Sequence, residues 1–403
     1  MKLGHILSMA AVAALTVAGA AAAQITVLPG ENLQAAIDTS GGTTSQRATV
    51  NLVAGVYTLD TSLMVTNVDL IGVGPGATIL RANSTVTDSV ARLMWNCSLR
   101  NLTVELSDTF AGAPLVLVDF HEPYFAPIEL RNCHVNGKQS LTGVESTGVD
   151  IEGGTRDEAL VVDCRIEDVA TGIFALGSGV NITRCLFDNI SGDAVAVYIL
   201  LLKQSGVDVP LLGDASDIQT TALNQFRTVG GSLLNNMTQT QVLAEMNDWG
   251  VYDETQLASR ISGPVDSGPF LGKSIAPSSV IVSVLDEQGA PVPASANPTC
   301  AISELSLNAT RDDKSERFVF NGVTEGTWTV RAFANGYNSA SASAAVSGAS
   351  ITPVTLNLTK GLAGGCGSPN SKAVYACSLL FVWGAGRRRR NRHPRASRSR
   401  TIF

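Results

Sequence analysis

The chain has 403 residues, of which only 16% are charged and 5% aromatic, and it carries 38 glycines and a net charge of −7. Eight arginines lie beyond residue 386 and Lys2 lies in the leader, so residues 24–386 are near −16, a balance that disfavours nucleic acid and anionic lipid as partners of the body. Seven cysteines, an odd number without a pairing pattern, do not describe a disulfide scaffold.

At the N-terminus, Lys2 precedes an apolar run from Ile6 to Ala18, and Ala20 to Ala23 precede Gln24. A positive start, a short apolar core and a small-residue exit predict a secretory signal peptide over residues 1–23, with processing after Ala23. Next, Leu33, Ala36 and Ile37 fall on one face of a predicted short helix, which can cover a sheet edge. Apolar strands follow around Val50, Leu52 and Tyr57 and around Val68 and Ile71.

Four later segments superpose. Leu99, Leu102 and Val104 match Leu130, Cys133 and Val135, then Val161, Cys164 and Ile166, then Ile182, Cys185 and Phe187. The middle members are spaced 31, 31 and 21 residues apart. A unit near 21, stretched where a loop is inserted, predicts one coil of a parallel β-solenoid, whose coils stack about 4.8 Å apart. Middle and last members alternate with polar residues and so face the core. Cys133, Cys164 and Cys185 then form an interior thiol column, read as small apolar core filling. No Cys or His spacing indicates zinc. The helix followed by these strands closely resembles the start of pectin-lyase-like right-handed β-helix proteins.

Residues 203–222 match no rung and are expected to form a long loop. Asn247, Asp248, Trp249 and Gly250, followed by Asp253, Leu257, Arg260 and Ile261, look like the closing segment of bacterial β-helix repeat proteins. The resemblance implies a final strand leading into Trp249, a short helix over 254–261, and a β-helix spanning 24–271.

A Gly/Pro/Ser-rich hinge is expected over 262–279, with 272–279 as the linker. Beyond it, alternating strands near Val280, Phe318, Trp328 and Ile351, separated by turn signals, predict a small antiparallel β-sandwich over 280–360. Leu285 to Val292, Gly322 to Trp328 and Gly336-Tyr337 resemble the carboxypeptidase-regulatory-like domain, which implies a spacer or stalk. Cys366, the apolar stretch 373–386 and the arginines from Arg387 resemble a tripartite Gram-negative C-terminal sorting signal, although this tail runs on to Phe403. That resemblance implies processing or lipid attachment at Cys366, membrane association through 361–403, and display at the cell surface or outer membrane. A plain weak anchor is the simpler reading of the same stretch, whose 14 residues are short for a bilayer core of about 20.

The search for chemistry leaves one constellation. The residue after each last core member is Glu105, Asn136, Glu167 or Asp188. Stacking puts Glu167 and Asp188 about 5 Å apart on the outer face, with His134 and Arg165 beside them. Two carboxylates that close attract a proton or a cation. The plain reading of these weak candidates is a solvated polar face. A second concentration, Asp119, His121 and Glu122, falls in an inter-strand loop and matches no metal or epimerase pattern. The paired aspartates and Gly-His-Gly element of polygalacturonases are missing, as is the Arg-centred strand motif of pectate lyases.

The expectation is an all-β, exported surface protein with a non-catalytic role in binding a glycan or a neighbouring surface. It carries no cofactor. The alternative is a lyase or glycosidase acting on acidic polysaccharide, with calcium if it is a lyase.

Overall fold

The computed structural model describes residues 24–106, 114–119, 127–138, 146–153, 159–177, 179–198, 209–216, 222–276, 278–312, 314–347 and 351–361. The expected leader, Ala23 and Cys366 with its tail lie outside them. Among the described residues, no helix is long and apolar enough to cross a membrane.

Three long parallel sheets, of ten, eight and seven strands, account for residues 24–266. Each coil gives one strand to each sheet. Ile128–Arg131 joins the ten-stranded sheet, His134–Asn136 the seven-stranded and Thr147–Glu152 the eight-stranded, and Ala159–Val162 returns to the first. This is the strand order of a parallel β-helix.

The register agrees with the repeat read from the sequence. Leu99, Leu130, Val161 and Ile182 are successive Cα partners, as are Val104, Val135, Ile166 and Phe187. These residues and the intervening Leu102, Cys133, Cys164 and Cys185 are all buried. The cysteine Sγ atoms donate to carbonyls of the preceding coil, at 3.3 Å from Cys133 to Leu99 and 3.3 Å from Cys185 to Val161. Burial pushes the Cys133 and Cys185 thiols well up, which suits core filling rather than thiolate chemistry.

The corner before each cysteine explains a polar position in the repeat. Asn101, Asn132, Asp163 and Arg184 all have φ between +49° and +55°. Asn and Asp tolerate this left-handed conformation best, because their short side chains bond locally. Asn132 Nδ2 donates to Asn101 Oδ1 at 2.9 Å. Arg184 is the exception in type, and two bonds to Asp163, at 2.7 and 2.9 Å, hold it there.

The stack is closed at both ends. The helix Leu33–Thr39 buries Leu33 and Ile37, with Ala36 partly covered, and Asn32 caps it by accepting from the Ala35 amide. At the far end the column containing Phe187 continues as stacked rings, with Phe187 to Phe226 at 5.0 Å and Phe226 to Trp249 at 4.6 Å.

Four expectations need correction. Leu211–Gly213 is a strand of the ten-stranded sheet, so part of 203–222 belongs to a rung. Its glycine and polar neighbours hid it. The strand Val242–Ala244 is not the last, because Ile261–Ser262 and Val265–Asp266 extend two sheets further, and the intervening helix stops at Ala258. Nor is 262–279 a free hinge. Leu271 and Ile275 are buried with Ala222, Leu223 and Met246 of the coils and with Ile281 and Ile351 beyond. The fully buried Asp248 accepts from Arg227 at 2.8 Å and from the Ile275 amide at 2.9 Å.

The fourth correction concerns residues 280–357, which form two four-stranded sheets. Val280–Leu285 pairs antiparallel with Phe318–Phe320 but parallel with Thr352–Asn357, so the arrangement is not wholly antiparallel. Parallel pairing needs a crossover between strands distant in sequence, which local turn signals do not report. The strand Ala340–Val346, made of Ala and Ser before its final Val, has little strand propensity and is recruited by pairing with Gly326–Phe333. Val282, Phe320, Val330, Val346 and Leu356, from both sheets, share one apolar cluster.

Candidate functional site

The structure brings the four predicted residues together. Asn136, Glu167 and Asp188 are successive Cα partners on the seven-stranded sheet, in line with Glu105. His134 Nε2 donates to Glu167 Oε1 at 2.6 Å, and Asn136 Nδ2 donates to the same oxygen at 3.1 Å. Arg165 contacts the other Glu167 oxygen and lies 3.7 Å from Asp188. The expected pair of facing carboxylates is therefore a carboxylate–guanidinium–carboxylate array. One guanidinium is shared by the two carboxylates, and Glu167 is also engaged by His134 and Asn136. Glu105 is held in the same manner, by Arg81 and by Lys138 at 3.3 Å. Half-exposed pairs of this kind contribute about 0–1 kcal/mol each.

A second charged ladder runs along the ten-stranded sheet. Arg47 bonds Asp69 at 2.8 Å, Arg100 bonds Glu129 at 2.7 Å, and Arg131 bonds the other Glu129 oxygen at 2.5 Å. Burial opposes ionisation of Asp69, but hydrogen bonds from Ser98 and Arg47 and the charges of Arg47 and Arg100 outweigh it and hold the carboxyl below its usual range. This face, too, is a closed set of pairs.

The outward face of the eight-stranded sheet differs. Val149 and Ile151 point to the core, so Asp150 and Glu152 point out. Asp150 lies in register with Leu117 on one side and Phe174 on the other, and Glu152 with Asp119 and Leu176. Tyr198 follows Leu176, and its ring centroid lies 4.9 Å from that of Phe174, tilted by 31°. Asp119 is tied to Arg92, whereas Asp150 Oδ1 is buried without a hydrogen-bond partner. Burial, with the Glu152 charge added, pushes the Asp150 carboxyl up to about 6. A carboxyl titrating there switches between acceptor and donor near neutral pH. Beside it, two half-buried aromatic rings offer faces for apolar C–H surface.

These residues were not found from the sequence. Alternation in Thr147–Glu152 marks Asp150 and Glu152 as outward, but loops of unequal length separate this strand from Phe174 and Tyr198. Only the register shows that they adjoin. The neighbouring candidates His121 and Glu122 lie outside the described residues. Among the described residues, no group of three or more His, Cys, Asp or Glu is placed to hold a metal ion.

No family model matches the sequence, and no curated protein matches it. Among solved structures the chain is similar to ORF18 of Geobacillus virus E2, at 11% identity. The match covers 83% of this chain and 76% of that one with a TM-score of 0.20, a likeness too slight to carry an argument.

Proposed function

We propose that the protein is an exported, surface-displayed recognition rod that binds a glycan without cleaving it, through the outer face of its eight-stranded sheet. The observation that carries this reading is the adjacency of Asp150, whose Oδ1 is buried without a hydrogen-bond partner, to the Phe174–Tyr198 ring pair. Sugar recognition needs polar acceptors for hydroxyls and flat apolar surface for the C–H faces of the ring. The other two described faces are occupied by internal ion pairs, which supports a structural role for Glu167, Asp188, His134 and Arg165.

The coil stack fits a pectin-lyase-like, right-handed β-helix, and the two C-terminal sheets fit a carboxypeptidase-regulatory-like sandwich acting as a spacer. The segment 361–403 would serve as sorting signal or anchor, with Cys366 as the processed residue and Ala23 as the leader boundary. The acidic outer face favours neutral glycans at this site.

The raised Asp150 carboxyl supports one further reading, a polysaccharide lyase or glycoside hydrolase. Asp150 would then act as proton donor or base, with Glu152 two residues along on the same face, roughly 7 Å away at Cα. One experiment separates the two. The purified chain is screened against neutral and acidic polysaccharides for retention and for new reducing ends or unsaturated products. Retention weakened ~3–10-fold by Phe174→Ala, without turnover, supports the rod. Turnover abolished by Asp150→Asn replaces it with the enzyme.

A further inference from the structure

A cavity of about 1030 Å³ lies where the coil stack meets the C-terminal sheets, walled by Ala215, Ser216 and Pro269 on one side and by Ser283, Thr355 and Arg317 on the other. Its chemistry follows from strand alternation. Val280, Val282 and Val284 enter the core between the two C-terminal sheets, so Ile281 and Ser283 face the coils. Thr355 is the Cα partner of Ser283, and Arg317 lies one position beyond the last antiparallel pair, Val282 with Phe318. Thr355, Ser283 and Arg317 thus stand side by side across three strands.

Arg317 is only 7% exposed, yet among the described residues no carboxylate forms an ion pair with it. Among the described residues its one hydrogen bond runs from Nη2 to the Ala215 carbonyl at 3.3 Å, and its Nε is buried without a partner. The acid on the same wall, Glu316, is taken by Arg311 at 3.1 Å, and the nearby Lys314 by Glu254 at 2.9 Å. The hydroxyl of Ser283, 2% exposed, also lacks a partner. Burial pushes the Arg317 pKa down and outweighs the nearby Glu316 charge, which acts to raise it. Proteins rarely bury a guanidinium without an anion, because desolvation costs several kcal/mol that only a paired charge offsets.

We propose that this cavity is a second binding site, specific for a hydroxylated carboxylic acid of the sugar-acid class, with Arg317 receiving the carboxylate. The planar fork of Arg matches a carboxylate in bidentate fashion, and the hydroxyl-rich wall suits ligand hydroxyls. The volume is that of a small-molecule pocket, roughly 300–1,000 Å³, rather than of a single ion. This site is separate from the Asp150 face and takes an anion, whereas that face takes neutral glycans.

The test is calorimetric titration of the full chain with glucuronate, methyl glucoside and inorganic sulfate. Saturable one-to-one binding of glucuronate, with methyl glucoside and sulfate each at least ~10-fold weaker, is the expected result. Arg317→Met is expected to lose ~10–100-fold in glucuronate affinity, and Ser283→Ala ~2–10-fold. Ser283→Ala removes only an unpaired hydroxyl and so keeps the fold should Arg317→Met lose it. Phe174→Ala leaves glucuronate binding unchanged, which keeps failure here distinct from failure of the glycan-rod reading. Absence of glucuronate binding, affinity unaltered in both cavity variants, or sulfate binding as tightly as glucuronate would each overturn the assignment.

Discussion

Replacing Asp150 by Asn tests whether the outward face of the eight-stranded sheet holds a strained carboxyl. The folded chain raises this group from 3.8 to about 6, chiefly by burial and then by the Glu152 charge. Between those pH values the folded state binds the proton more tightly than the unfolded chain does, so stability falls as pH rises through the window and levels off above about 6. Two pH units correspond to about 3 kcal/mol at about 1.4 kcal/mol per unit. Asp150 retains some solvent access, so screening brings the realised cost to about 1–2 kcal/mol. Asp150→Asn removes the charge at nearly constant shape. Its urea-unfolding free energy is therefore expected to exceed that of the parent by about 1–2 kcal/mol at pH 8 and to match it near pH 4. Taking the difference between the two proteins at each pH cancels the titrating groups not coupled to Asp150, including Asp69, whose lowered pKa acts in the opposite direction. A gap that does not change between pH 4 and pH 8, or a variant less stable than its parent at pH 8, would refute the reasoning.

Three further outcomes are expected. Trp249→Ala removes the last ring of the stack above Phe226 and should cost about 3–5 kcal/mol in chemical denaturation; Trp249→Phe should cost much less, because the indole N–H is buried without a partner. Asn224 is fully buried; its Nδ2 donates to the Ile182 and Leu212 carbonyls at 2.8 and 2.9 Å, and its Oδ1 accepts from the Cys185 amide at 2.9 Å. Asn224→Ala should therefore cost about 3 kcal/mol or more, and urea midpoints of parent and variant decide it. Gly263 has φ +82°, and a Cβ there would lie 1.8 Å from the Asn236 carbonyl oxygen, so Gly263→Ala should lower the thermal midpoint, whereas Gly289→Ala, with open space around it, should show only the smaller backbone effect.

Much of the coil stack was legible because a solenoid repeats its interior. The positions of Leu99, Leu102 and Val104 recur three times with apolar residues, and each recurrence fixes a register that the structure reproduces. The same logic placed Glu167, Asp188, His134 and Arg165 on one face. It did not show that Arg165 stands between the carboxylates, since side-chain reach is not a property of spacing. Strands of low propensity, such as Ala340–Val346, escaped because pairing rather than composition makes them strands.

The sequence by itself determined the β-rich class and the coil interior, which show in apolar residues two or three apart and in their recurrence from coil to coil. Tertiary structure decided everything that joins one coil, or one end of the chain, to another. It packed 262–279 against the coils, paired Val280–Leu285 in parallel with Thr352–Asn357, brought Asp150 beside Phe174 and left the buried Arg317 Nε without a hydrogen-bond partner. The reason is physical. Burial and charge pairing are fixed by neighbours in space, and the loops that deliver those neighbours vary in length without leaving a periodic trace.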